Sequence, residues 1–134
     1  MSILAIQAAL EKHLLVMTPI ATAFENKVFG PQTGVPYQRI AHLLNNPRDV
    51  SIERDLVRLL GVFQVSLFYP LDGGRVPAME RAEAICAQFA PVLLLQEGGV
   101  TVEIDDTPSI AGAMSDGDRW HVPVSINWSS FVAR

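Results

Sequence analysis

The chain has little of what protein chemistry is usually built from. It carries one cysteine, three histidines and only 18% charged residues in 134 positions. A lone Cys86 forms no internal disulfide, which fits a reducing compartment. No two of His13, His42 and His121 share a metal-like spacing, so no metal and no cofactor are expected. The longest apolar run, 92–95, falls far short of the roughly 20 residues that cross a bilayer, so no membrane partner is expected. The first residues have no basic region, long apolar core or cleavage signature, and no secretion leader is read there. Positive charge is also scarce: ten basic against fourteen acidic residues leave a net charge of −4. A nucleic-acid groove needs a dense basic surface to displace counterions, and none is present.

What the chain does have is patterned apolar residues. Hydrophobic residues make up 49% of the sequence, enough for a core of the size that a single domain over 1–134 requires. Spacings of three and four among Ile3, Gln7, Leu10, Leu14 and Met17 predict a helix over 2–17, with Ser2 as its cap and Thr18-Pro19 as its stop. Glu11, Lys12 and His13 fall on its other side. A short extended stretch at 20–24 precedes a loop rich in Gly, Pro and Asn. Residues 37–44 read as a strand, and 45–55 as an exposed, charged loop.

Strict alternation then predicts a long strand over 57–69, with Val57, Leu59, Phe63, Val65 and Leu67 facing the core. Leu56, Leu60, Val62 and Phe68 fall on its opposite face, an apolar mixture that suits a subunit interface or a second covering layer. Asp72-Gly73-Gly74 is a turn, and Pro77 opens a second helix whose buried stripe includes Ala82, Ile85, Cys86 and Phe89. Glu80, Arg81 and Glu83 are placed outside. Alternation returns at 100–104 and again in the last strand, where Trp120, Val122, Val124, Ile126 and Trp128 share a face. Pro123 cannot donate to a ladder, so that strand is expected at a sheet edge or with this position turned from its neighbour. The expected fold is α+β: a single domain with a mostly antiparallel or mixed sheet and two helices packed on one face.

No catalytic constellation emerges. Cys86 sits on a buried stripe, the serines lack a nucleophile-elbow context, and Asp116-Gly117-Asp118 starts like a calcium loop whose remaining ligands are missing. His42 reads as a structural histidine and His121 as a solvated or interface one. Gly73-Gly74 and Gly98-Gly99 match no phosphate-loop pattern and are explained by tight turns.

Local phrases carry a further reading. They are Ala23-Phe24-Glu25-Asn26 with Phe29-Gly30-Pro31, Gly34-Val35-Pro36-Tyr37, Gly61-Val62-Phe63-Gln64-Val65, Phe68-Tyr69-Pro70, Gly98-Gly99-Val100-Thr101-Val102 and Trp120-His121-Val122-Pro123-Val124-Ser125-Ile126. As a set, in this order of elements, they resemble the tail-terminator or tail-completion proteins of long-tailed phages and prophages, including the minor tail protein U class. The resemblance implies a non-catalytic structural protein of the virion tail, assembled in the bacterial cytoplasm. It implies a homohexameric ring whose partners are its own copies, the tail tube protein and the head–tail connector.

Such a ring needs loops projecting to each side. The candidate contact residues are Arg48, Asp49, Glu53, Arg54 and Arg58 around the charged loop, Asp72 and Arg75 at the Gly-rich turn, and Asp116 and Arg119 before the last strand. Two alternatives stand beside this reading: a head–tail connector or neck protein, and a small-ligand-binding domain.

Overall fold

A computed structural model describes residues 2–50 and 55–133. Its elements are α1 (Ile3–Leu15), β1 (Ala21–Ala23), β2 (Tyr37–Leu44), β3 (Arg48–Asp49), β4 (Leu56–Pro70), α2 (Val76–Gln88), β5 (Leu94–Glu97), β6 (Val100–Ile104), β7 (Ser109–Ile110), β8 (Met114–Asp116) and β9 (Arg119–Ala133). The strands form one sheet ordered β1-β2-β4-β9-β6-β5, with β3 added to β4, and β7 and β8 added to β9. Among the described residues β1 and β2 run parallel and the other pairs are antiparallel. Both helices pack on one face, α1 over β5 and β6 and α2 over β4 and β9. The expected α+β architecture is therefore the observed one.

The sheet is organised by β4 and β9, fifteen residues each, paired from Leu56↔Ala133 to Pro70↔Arg119. Alternation sends Val57, Leu59, Phe63, Val65 and Leu67 into the core from one strand, and Val122, Val124, Ile126, Trp128 and Val132 from the other. Opposite them α1 contributes Ile6, Leu10 and Leu14, and α2 contributes Ala78, Ala82 and Ile85, followed by Phe89. Fully burying one such aliphatic or Phe side chain stabilises by about 1.5–3 kcal/mol, so this layer contact is the main source of stability. The helix ends are also clipped together: the Nε2–H of His13 donates to the Gln88 carbonyl, and the Gln88 amide donates to the His13 carbonyl, both at 2.8 Å.

Several local expectations are corrected. The strand holding Pro123 is central, not an edge, because β4 lies on one side of β9 and β6, β7 and β8 on the other. The sheet tolerates this proline because its carbonyl accepts from Ala111 N–H at 3.0 Å. Its nitrogen points the same way, into the break between β7 and β8, so no bond to β4 is lost. Within the stretch read as a loop, β3 forms a short strand: Arg48 pairs with Arg58 and Asp49 with Val57. The last strand continues past Trp128 to Ala133, and β5, β7 and β8 were not foreseen. Ser2 makes no side-chain cap bond.

Arg81, expected outside, is 9% exposed. It donates to the Thr18 carbonyl at 2.6 Å and to Gln38 Oε1 at 3.3 Å. Gln38, itself buried, donates onward to Thr22 Oγ1. A long side chain can cross a helix shoulder and spend its guanidinium on groups that would otherwise be buried unpaired. Burial lowers the Arg81 pKa from its ordinary value.

Gly61 lies opposite Trp128 in the central pair. A Cβ there would stand 2.5 Å from the Leu43 carbonyl oxygen and 2.9 Å from Trp128 Cζ2. Neither the β2 backbone nor a buried indole has room to yield. Gly61→Ala is expected to destabilise the protein by about 1–3 kcal/mol, as overpacked cores do, measured by chemical denaturation; an unchanged midpoint would show that the strands spread freely at this point.

Candidate interaction surfaces

The face of the sheet turned away from the helices is divided into two halves. In the half nearer the end of β4, residues Tyr37, Phe68 and His121 are direct cross-strand partners in β2, β4 and β9. Their rings stack in sequence, Tyr37 on Phe68 at 4.8 Å and Phe68 on His121 at 4.4 Å, with Phe29 from the preceding loop at 5.1 Å from Tyr37. Two arginines sit on this ladder: Arg39 is 4.8 Å from the Phe68 ring and Arg119 is 5.1 Å from the Tyr37 ring. Cross-strand aromatic pairs and cation–π contacts each contribute about 0.5–1 kcal/mol, so the row binds three strands across their ladder. Phe68, read from sequence as outward and apolar, is only 3% exposed because this row covers it.

Arg119 holds the cover in place. It is 6% exposed, and its two terminal nitrogens donate to the Val35 and Gln32 carbonyls of the loop between β1 and β2. The fork geometry of a guanidinium suits two adjacent carbonyls better than an ammonium would. The expected contact residue is thus engaged inside the fold.

The other half of the same face is left open. Leu43 of β2, Leu56, Leu60 and Val62 of β4, Phe131 of β9 and Val50 beyond β3 line it, by strand alternation and register. Phe131 is 57% exposed and Leu43 49%. Arg48 and Arg58, paired across β3 and β4, stand on this half, and Arg58 reaches Asp105 at 3.5 Å.

The structure sorts the sequence-predicted contact residues into two groups. Arg48, Asp49 and Arg58 gather where β3 meets β4, whereas Glu53 and Arg54 lie outside the described residues. Asp72, Arg75, Asp116 and Arg119 gather at the far end of β4 and the start of β9. The twelve steps from Arg58 to Pro70 span roughly 40 Å at about 3.3 Å per residue, so the groups occupy opposite ends of the molecule. At the far end Asp72 and Arg75 line a cleft of about 420 Å³ with Pro70, Leu71, Ser115 and Trp120.

Two further titratable groups are tied to structure. His42 Nε2–H donates to Glu11 at 2.7 Å while its ring stacks on Phe63. Cys86 Sγ–H points at the Pro108 carbonyl at 3.6 Å, and burial raises its thiol pKa. Among the described residues no three His, Cys, Asp or Glu side chains group as a metal site would need, and no helix is long and apolar enough to cross a membrane.

The ladder has a pH consequence. Burial lowers the His121 pKa below 6.5, Arg39 pushes the same way, and Asp116, 3.8 Å from Nδ1, opposes them. The unfolded chain therefore takes up this proton first as pH falls below 6.5, and stability supplied by the neutral ring is lost from there downward. His121→Phe, which keeps the stack, is expected to flatten that acid-side loss in thermal melts; an equal slope in both proteins would remove His121 as its source. Arg119→Lys keeps the charge but loses the fork, and is expected to speed limited proteolysis within 24–36 while far-ultraviolet circular dichroism is unchanged.

Comparison with known proteins places this geometry. A family model described as phage tail terminator protein matches residues 5–128. A solved structure superposes with a TM-score of 0.72 at 26% sequence identity, covering 97% of this chain and 96% of that one. No curated protein matches the chain. The family match takes in both helices, the core and most of the central ribbon, so the sheet with its two charged ends and one half-open face is the framework of a structural component of the phage virion tail that works through contacts with other tail and head proteins: the chain belongs to the phage tail terminator family.

Proposed function

We propose that the protein is a non-catalytic tail terminator that caps the head-proximal end of the tail tube as a homohexameric ring, assembled in the cytoplasm of the bacterial host. The ring stops further addition of tube subunits and offers the head connector a surface. The observation that carries this reading is the family match over 5–128, taken with the separation of the two charged ends along β4 and β9. A cap between two different neighbours needs two different contact surfaces, and a subunit with one at each end of a stiff ribbon supplies them. Arg48, Asp49 and Arg58 belong to one contact, and Asp72, Arg75 and Asp116 to the other. Arg119 acts indirectly, by holding the loop that covers the aromatic row.

Electron microscopy of tails made with and without this gene tests the proposal. Overlong, headless tubes are expected in its absence, with normal length restored when purified protein is added during assembly. Tails of normal length that fail only to join heads would assign the protein to the connector instead, and unaltered particles would overturn both readings.

A further inference from the structure

Between β2 and β3 the chain steps away from β4: Leu44 pairs with Gly61 and Arg48 with Arg58, and 45–47 bridge the gap. A groove of about 320 Å³ opens at this break, beside the start of α1. Leu44, Pro47, Leu59 and Leu60 give it apolar walls, and Ile3 and Trp128 also line it. Its polar members are the uncharged Asn45 and Asn46, so among the described residues no acidic side chain lines it.

Two sets of donors here lack acceptors. The first N–H groups of a helix have no intrahelical partner. In α1 these belong to Ile3, Leu4 and Ala5, since the Ile6 N–H bonds back to the Ser2 carbonyl. Ser2 gives them no side-chain cap, and the first turn holds no acid to answer the positive end of the helix dipole. The second donor is Trp128, 1% exposed, whose indole Nε1–H has no hydrogen-bond partner among the described residues. Its Cε2, the carbon bonded to that nitrogen, lies 3.2 Å from where a Gly61 Cβ would stand, and Gly61 is the partner of Leu44. The donor edge of the ring is therefore turned toward the strand ends that form the groove. Buried donors are ordinarily paired.

We propose that the groove receives a short segment of a neighbouring tail or head protein in which an Asp or Glu is flanked by aliphatic side chains. The carboxylate caps α1 in trans, an oxygen of the segment accepts from Trp128 Nε1–H, and an aliphatic side chain lies against Leu44, Leu59 and Leu60. The inference rests on the reading of the Arg48 end as a contact and specifies what is recognised there, since Pro47 of the groove adjoins Arg48. Charge selects the acid, because an uncapped helix N-terminus in a groove without carboxylates is complementary to one. The walls select a protein segment over a free anion, which has nothing to place against four apolar side chains. By excluding water, the same walls strengthen a charge-assisted hydrogen bond.

The test begins with nuclear magnetic resonance of the isotope-labelled protein. The chain has two tryptophans, and Trp120→Phe identifies which indole signal belongs to Trp128. The probe is the peptide N-acetyl-Leu-Asp-Leu amide, compared with the same peptide carrying Asn for Asp and with sodium acetate. Saturable movement of the Trp128 indole signal and of the amides of 3–5 is expected with the Asp peptide at millimolar concentration. The Asn peptide is expected to bind about tenfold more weakly, through loss of a charged hydrogen bond. An unmoved indole signal, or equal binding of the two peptides, overturns the proposal. Movement with acetate as strong as with the Asp peptide also overturns it and makes the groove a small-anion site. In tails, Leu44→Glu and Asn46→Glu each put an acid in the groove at an exposed position. Both are expected to give overlong tubes while circular dichroism and melting show a folded subunit. Leu94→Glu, a comparably exposed change on β5, is expected to leave tube length normal. Normal tubes with both groove variants would show that no tail contact uses the groove. A silent titration with gene-dependent tube length sinks the groove and leaves the terminator reading standing. If tube length is independent of the gene, the terminator reading fails, while a positive titration still assigns the groove its ligand chemistry.

Discussion

Everything in this fold depends on the register between β4 and β9. Fifteen residues face fifteen, and because side chains alternate with a period of two, a slip of one residue would carry the whole apolar set to the outer face. The register places Gly61 under Trp128, where only a hydrogen can fit beside the indole. The same register sets Phe68 against His121, so one pairing decides both the core and the row that covers half of the opposite side. Helices, loops and short strands are fastened to this ribbon.

The two faces are covered by different means. Helices close the inner face with aliphatic side chains, and the buried Arg81 and Gln38 are joined there by a hydrogen bond, Arg81 also donating to the Thr18 carbonyl. Among the described residues no helix lies on the outer face. Where the chain covers it, it uses stacked rings and an arginine that grips loop carbonyls. Where the chain does not, it leaves leucines, valine and phenylalanine in the open beside two arginines. A sequence with only 18% charge has little with which to solubilise such a surface, which agrees with a protein that works in contact with others.

Much of this was legible beforehand. Alternation identified β4, β6 and most of β9 with the correct inward residues, and helical spacing with Pro punctuation identified α1 and α2. Family membership was legible in phrases that are mostly turn and strand grammar, because their order is itself the fold. What was not legible depends on partners distant in sequence. Tyr37, Phe68 and His121 become a row only once the register is known. Arg81 and Arg119 look like surface cations until the carbonyls within reach are located. Pro123 signalled a gap in a ladder correctly, but the gap lies between two short partners of a central strand. Strands of two to four residues, such as β5, β7 and β8, are too short for periodicity to register. The contact residues separated into two groups only when β4 was seen to run the length of the molecule.

That length has a mechanical meaning. A pull between the two charged ends is parallel to β4 and β9, so it is borne by covalent backbone in both strands. The hydrogen bonds between them lie perpendicular to the load and are not peeled one after another. Under the proposed assignment of one contact to each end, such a subunit would act as a tie rod, stiff along its central ribbon.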